Sequence, residues 1–301
     1  CVWLFRRDKD KVRVVNEGMP VNNEEVARFA SWVFNAYPAV NVISFHAVQT
    51  MPGQLQLPHQ RFNCLEDIVA TLPPSAEEYL GGLGKATRSY LHRYLNKLRR
   101  DFPQFRLQVC EAQEIDERDI LRIIEFNRMR MASKGKASIN NDDVAQRIVR
   151  FARERGMVCI ISLGGRLCAG TINYRVRDNY FLETLAHDPA YDDYRLGTLC
   201  CYLSICECIA RGGKEYHFLW GQDDYKSRLH GVQRDLDDLV VYRSHLHMLL
   251  HGDAVLQHAA HAGVRRAQVW LRGARRQHRV AARIVDGALQ TLRALGSTRT
   301  P

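Results

Sequence analysis

Residues Tyr180 to Lys226 read YFLETLAHDPAYDDYRLGTLCCYLSICECIARGGKEYHFLWGQDDYK, and this run decides the fold. Apolar and aromatic side chains crowd Tyr180 to Ala186, as in a buried strand. Asp188-Pro189 breaks that strand. Arg195-Leu196-Gly197-Thr198 then opens a long apolar helix that ends near Gly212-Gly213. Glu215 to Trp220 reads as a second strand, and a polar loop from Gly221 to Lys226 leaves it. A glycine in the first turn of a helix lets a ligand approach free backbone N–H groups. Those donors and the positive end of the helix dipole favour an anion, most often a phosphate. The plain alternative stays open, because a strand-turn-helix with one glycine is common in α/β proteins. The loop at Asp223 to Lys226, one helix later, favours the phosphate turn as an active-site element.

Upstream, Met157 to Leu163, Leu167 to Arg175 and Tyr180 to Ala186 form a meander, with Gly164-Gly165 as its first hairpin turn. Phe105 to Val109 reads as a strand, and Ile115 to Met131 and Val144 to Arg155 as helices. Ala132 to Asn141 is a polar loop long enough to cover a site. Ser75, with Glu78 as its capping partner, starts a strongly basic helix that runs to about Arg100. Before it, Val2 to Phe5 and Val12 to Val15 suggest a hairpin. Asn22 or Asn23 caps a helix with Val26, Phe29, Ala30, Val33 and Phe34 on one face, and Val40 to Val48 is a strand.

The 301 residues suffice for one large or two medium domains. No apolar run approaches ~18 residues, so no membrane span is expected. The chain begins at Cys1 without a methionine, and a preceding segment is expected. Nine cysteines cannot all pair internally. Cys200, Cys201, Cys206 and Cys208 share one apolar helix and read as small buried hydrophobes of a reducing compartment, which gives a cytoplasmic expectation. A redox or metal role is the sharper alternative. The net charge is +10, with 43 Lys and Arg against 33 Asp and Glu, and much of the excess lies between Arg265 and Arg299. That stretch suits either an anionic partner or a solvated helical face; the absence of an aromatic ladder favours the latter. His245, His247, His251, His258 and His261 lack regular ligand spacing and read as surface residues, so no metal is expected.

Residues 75 to 245 resemble the GNAT acyltransferase superfamily, in its CelD-like branch associated with exopolysaccharide and cellulose genes, similar in plan to the Fem peptidyltransferases. The basic helix from Tyr79 to Arg100 carries part of the likeness. Tyr191 to Thr198 carries another part, standing where GNAT proteins hold the coenzyme A pyrophosphate. Phe218-Leu219-Trp220-Gly221, followed by Asp224-Tyr225-Lys226, carries the third. The loop departs from the superfamily's Gln/Arg-x-x-Gly-x-Gly/Ala, since Thr198 and Leu199 follow Gly197 without a second glycine.

The resemblance implies an α+β, two-lobed GNAT-like fold, with mixed sheets flanked by helices and a basic helical C-terminal tail. Residues 1–74 would be the remainder of a degenerate first lobe, 75–104 a linking helix, 105–247 the catalytic lobe and 248–301 the tail. It implies an acyl-CoA-dependent N- or O-acyltransferase acting on a sugar nucleotide or glycan precursor, with acetyl-CoA or another acyl-CoA as co-substrate. An aminoacyl-tRNA or acyl carrier protein donor of the Fem type is the alternative, and a non-catalytic scaffold of a polysaccharide system is the second. Donor contacts fall on Leu185, Ala186, Arg195, Leu196, Gly197 and Thr198. Acyl transfer needs a base, oxyanion donors and an acid for the leaving thiolate. Glu183 is the base candidate; by strand alternation it points away from Leu182 and Thr184. Tyr225 is the candidate acid, and Lys226 would orient the acyl carbonyl or the acceptor from an exposed loop. Arg128 and Arg130 would hold a carboxylate or phosphate on the acceptor, beside Asn127, where relatives often carry histidine; Asp224 is a weaker contact. Each of these has an ordinary alternative as a surface or loop residue. Oligomeric state is not legible.

Overall fold

The computed structural model describes residues 2–252 except 52, 136, 137, 139 and 222, together with 256, 260, 263, 264 and 267. The arginines between Arg265 and Arg299, and His258 and His261, lie outside the described residues. The chain divides into two compact units, residues 1–66 with 234–301, and residues 67–233. Among the described residues no helix is long and apolar enough to cross a membrane.

In the first unit, β1 (Phe5–Asp8) and β2 (Lys11–Val14) form a hairpin around Lys9 and Asp10, with Lys9 at φ 50°. The hairpin therefore closes tighter than the apolar pattern implied, and the charged Arg6 to Asp8 are strand residues. β3 (Pro20–Val21) leads to α1 (Asn23–Ala36), whose N-cap Asn22 accepts the Glu25 N–H at 2.7 Å. The buried face of α1 carries Val26, Phe29, Ala30, Val33 and Phe34, the positions its periodicity marks. α1 is the crossover that lets β2 and β4 (Val42–Thr50) pair parallel. β11 (Val232–Tyr242) returns from far along the chain to pair antiparallel with β4. Phe45, Ile43, Val241 and the α1 face pack into one core.

The second unit begins within β5 (His59–Thr71), whose last residues pair with β10 (Glu215–His217). The helix expected from Ser75 to Arg100 is instead two helices, α2 (Ala76–Gly82) and α3 (Lys85–Asp101). Leu83 turns extended between them and is fully buried, an anchor a continuous helix would not provide. Arg88 reaches back to the Gly81 and Leu83 carbonyls and satisfies the orphaned helix end. β6 (Arg106–Glu111), α4 (Glu117–Ser133) and α5 (Asp142–Arg155) precede the meander β7 (Gly156–Leu163), β8 (Arg166–Val176) and β9 (Asn179–His187). β6 to β9 pair antiparallel in sequence order. α6 (Leu196–Ala210) then crosses over, so that β10 pairs parallel with β9. The short helices α7 (Asp224–Arg228) and α8 (His245–Leu250) complete the described elements, α8 belonging to the first unit. α4 and α5 cover one sheet face through Ile123, Phe126 and Ile148. α6 covers the other, its Cys200, Cys201 and Cys208 buried in that core. This is the mixed α+β GNAT-like fold the sequence implied.

Two irregularities in β9 build the site. Its parallel pairing with β10 stops at Phe181↔His217, yet β9 continues to His187. The strand expected to reach Trp220 ends at His217, where the Phe218 N–H turns to the Ile68 carbonyl at 2.8 Å. Among the described residues, the β10 side of β9 is therefore an open edge past Phe181. Glu183 is an extra residue: β8 steps from Ile172 to Asn173 while β9 steps from Thr184 to Leu182. This β-bulge leaves Glu183 on the face opposite Leu182, as expected, but shifts the alternation of the residues after it. Tyr180 and Leu182 lie in the core under α6, whereas Ala186 lies in the core under α4 and α5. Below the bulge, Leu185 turns back against the α6 side.

Candidate active site

α6 starts from Arg195, whose backbone is left-handed (φ 55°, ψ 36°), and no side chain caps it. Its first-turn N–H groups are thus left to an outside acceptor, at the positive end of the helix. A cavity of about 190 Å³ opens there. Arg130 from α4, Leu185 and His187 from β9, and Tyr225 from α7 line it on one side. Asp192, Arg195, Gly197 and Thr198 line it on the other. Thr198 also borders a second cavity of about 360 Å³, walled by Tyr90 and Arg93 of α3 and by Arg228. Four cations and three phenol rings pair around this border. Arg228 lies over Tyr90, Arg93 over Tyr94, and Lys97 over Tyr194. The Arg195 guanidinium beside Tyr94 draws that phenol below its usual range.

Two polar atoms in the first cavity are buried without a hydrogen-bond partner among the described residues: Arg130 Nε and His187 Nδ1. Orphaned buried polar atoms cost about 1–3 kcal/mol each, so both are suited to a ligand atom, Arg130 Nε as a donor and His187 Nδ1, with Nε2 donating to Asp192, as an acceptor. His187 is pinned by Asp192, with Nε2 to Oδ1 at 2.7 Å. A Cβ at Gly197 would come within 3.1 Å of His187 Nδ1, so glycine keeps the ring and the helix start together. Nothing in the sequence reading singled out His187. Its signal was weak, a polar residue two positions after Leu185 at a strand end.

The expected site residues separate into groups. Arg130, Leu185, Arg195, Gly197, Thr198 and Tyr225 share the cavity. Leu196 and Ala186 are fully buried in the two cores and present no side chain to it. Tyr225 packs edge-on against Phe218, and burial pushes its phenol above the usual range, so it keeps its proton. Glu183 does not line the cavity. The bulge sets it beside Tyr174 on the α4–α5 face, half-buried, and burial raises its carboxyl above the usual range. Arg128 is committed to the loop before α5, donating to Asn140 O at 2.7 Å and Asp142 Oδ1 at 2.8 Å. Asn127 accepts from Asn140 and Ser138 in the same loop. Asp224 is exposed in the first turn of α7 and stands outside the cavity lining.

Lys226 differs most from expectation. It is not an exposed loop lysine but 4% exposed. Its Nζ donates to the carbonyls of Phe218 (3.0 Å), Leu219 (3.3 Å), Trp220 (2.7 Å) and Gly221 (2.9 Å). The ammonium is thus a staple that folds the 218–221 segment onto itself, with Leu219 held at φ 55°. Burial lowers its pKa, and nearby Asp223 opposes that shift.

The sequence profile described as acetyltransferase (GNAT) domain matches residues 85–227, all within the second unit. A search of curated proteins gives no match. Among solved structures, FemX is similar over 82% of this chain and 85% of its own, at 8% identity and a TM-score of 0.60. L-PGS from Bacillus licheniformis is similar over 81% of each chain, at 11% identity and a TM-score of 0.50. A conserved protein of unknown function from Bacteroides thetaiotaomicron is similar over 77% of this chain and 79% of its own, at 10% identity and a TM-score of 0.53. Such identities bear on fold alone. Residues 85–227 thus match the GNAT acetyltransferase domain within a GNAT-like α+β fold, and the protein is an acyltransferase.

Proposed function

We propose that the protein transfers an acyl group from acyl-CoA, acetyl-CoA in the simplest case, to an amine or hydroxyl of a sugar nucleotide or glycan precursor. The observation that carries the donor half is the uncapped start of α6, opening on a cavity that holds Arg195 and two orphaned buried nitrogens. The pyrophosphate lies against the N–H groups of Leu196, Gly197 and Thr198, and Arg195 neutralises it. The thioester arm adds itself along the open edge of β9, where no strand competes for its amides. The bulge then divides the labour: Leu185 and His187, with Arg130 beside them, face the donor, while Glu183 faces the acceptor. The acceptor nitrogen or oxygen attacks the thioester carbonyl, and Glu183 takes its proton, directly or through one water. The C–S bond breaks, and the sulfur takes a proton from Tyr225. Lys226 holds the 218–221 wall rather than the reacting carbonyl. The glycan acceptor, the CelD-like assignment and a cytoplasmic setting follow from the sequence resemblance.

A second donor has its own support. The border of Tyr90, Tyr94 and Tyr194 with Arg93, Lys97 and Arg228 suits stacked bases beside phosphates, which is the surface an aminoacyl-tRNA end requires. The FemX-like fold is in keeping with it. Calorimetric titration with acetyl-CoA and with a charged tRNA at two salt concentrations decides between them. Acetyl-CoA binding that weakens on Arg195→Ala supports the first donor. Binding of charged tRNA alone, falling steeply with salt, replaces it with the second. If neither donor binds the folded protein, the scaffold reading stands.

A further inference from the structure

His46 on β4, Cys64 on β5 and Asp238 on β11 come together in the first unit, whereas the residues of the proposed acyl-transfer site belong to the second. Their ligand atoms, an imidazole nitrogen, a sulfur and a carboxylate oxygen, all lie within 4.8 Å of one another. Among the described residues this is the one group of three such side chains so converged.

A backbone irregularity creates the convergence. Between Asp237↔Val48 and Leu239↔Phe45, His46 and Ala47 of β4 stand opposite the single residue Asp238. Ala47 takes φ 50°, a conformation L-residues adopt at a cost of order 1–3 kcal/mol. Its N–H donates to Asp238 Oδ1 at 3.2 Å, and His46 Nδ1 meets the same oxygen at 2.6 Å. Cys64 Sγ donates to the Leu236 carbonyl at 3.4 Å. It lies against Asp238, and burial and that carboxylate push the thiol far above its usual range. A Cys–His nucleophile does not fit, because the thiol donates to the Leu236 carbonyl and the nearby imidazole nitrogen is engaged by Asp238 rather than by the thiol. A plain ion pair accounts for His46 and Asp238 but not for a thiol at their junction.

We propose that His46, Cys64 and Asp238 form a zinc site, with water as the fourth ligand. One nitrogen, one sulfur and one oxygen donor suit a borderline-soft divalent ion in tetrahedral geometry. Zinc bonds of about 2.0–2.3 Å set the ligand atoms roughly 3.3–3.8 Å apart, so the metal opens the His46–Asp238 contact by about 1 Å. The His46 and Asp238 side chains are 38% and 22% exposed, which gives an ion a route in. Glu17 and Arg13 also act on the imidazole, and Asp237 beside the site is held by Thr50.

Cobalt(II) added to the full chain is the direct test. At one equivalent it should give tetrahedral d–d bands with a thiolate charge-transfer band, both removed by excess zinc. Cys64→Ser should lose the charge-transfer band, and Asp238→Asn should weaken binding by tenfold or more. Metal-free thermal melts establish that each variant folds; if Cys64→Ser does not, His46→Gln takes its place, read by the loss of the tetrahedral bands. No cobalt bound at one equivalent, or a charge-transfer band unchanged in a folded variant, overturns the site. The readout is independent of acyl transfer, so the two readings fail separately.

Discussion

At the scale of single residues, the site divides into groups left waiting and groups already committed. Arg130 Nε and His187 Nδ1 wait. Arg130→Met and His187→Phe should each weaken donor binding by roughly tenfold to a hundredfold, the worth of one to two buried polar contacts. Their melting temperatures should hold or rise, because an orphaned polar atom is removed. Calorimetry beside a thermal melt checks both halves. Lys226 is committed. Lys226→Ala removes the ammonium from four carbonyls and should cost roughly 2–4 kcal/mol in urea unfolding, with activity falling in step. Lys226→Met fills the space but not the bonds and should rescue neither.

Glu183 carries a pH signature of its own. Its folded pKa is raised by burial, so between the unfolded and folded values the native state holds a proton that the unfolded state has released. Stability therefore falls as pH rises through that window. Glu183→Gln should flatten this dependence and, if Glu183 is the base, also remove the acidic limb of the kcat/KM profile. A variant that flattens stability while leaving the rate profile intact would leave Glu183 a buried carboxyl and no more. The sequence marked Arg195, Gly197 and Thr198 because a phosphate turn is written in consecutive residues. It misplaced Lys226 because the four carbonyls that consume a lysine carry no side-chain identity. It passed over His187 because the orphaned nitrogen depends on Asp192 and on the missing Cβ of Gly197.

At the scale of elements, Gly197 and Gly170 do different work. Gly197→Ala should keep or slightly raise the melting temperature, since alanine favours a helix by about 1 kcal/mol, yet weaken donor binding by crowding the pinned His187 ring. Gly170 lies on β8 under α4, where a Cβ would come within 2.3 Å of Ile123 Cδ1. Gly170→Ala should lift α4 from the sheet and destabilise by about 1–3 kcal/mol, read in a denaturant melt. The helices and the meander were legible because each writes its period locally: α1, α5 and β7 to β9 lie where the apolar pattern put them. The break at Leu83-Gly84 was not, because both halves continue one basic, helix-favouring composition. β11 was not read at all. Its partner β4 lies about 190 residues away, and its outer half, Val232 to Asp238, alternates too weakly to announce a strand.

At the scale of the whole molecule, the core residues of both units, among the described residues, all lie before Gly252. His251 contributes a ring contact with Tyr242 and an ion pair with Asp10, so the safe limit lies just beyond it. A chain ending at Gly252 should unfold with an unchanged midpoint and bind the donor as before. Loss of donor binding in that folded chain would move the tail into the site. The fold class was legible because one contiguous stretch encodes strand, turn and crossover helix. The division into units was not, because the first unit takes strands from both ends of the chain.

The bulge at Glu183 works as a reading-frame shift within a single strand. Before it, even-numbered side chains serve one layer of the protein; after it, odd-numbered ones do. Deleting Glu183 would restore a regular strand while keeping every other pairing with β8, so Leu185 and His187 would hold the faces they have now. A one-residue deletion there should leave donor binding in place while removing the carboxyl on the other face, read by calorimetry beside an acyl-transfer assay. The strand carries that carboxyl as an insertion, and its donor side keeps its frame with or without it.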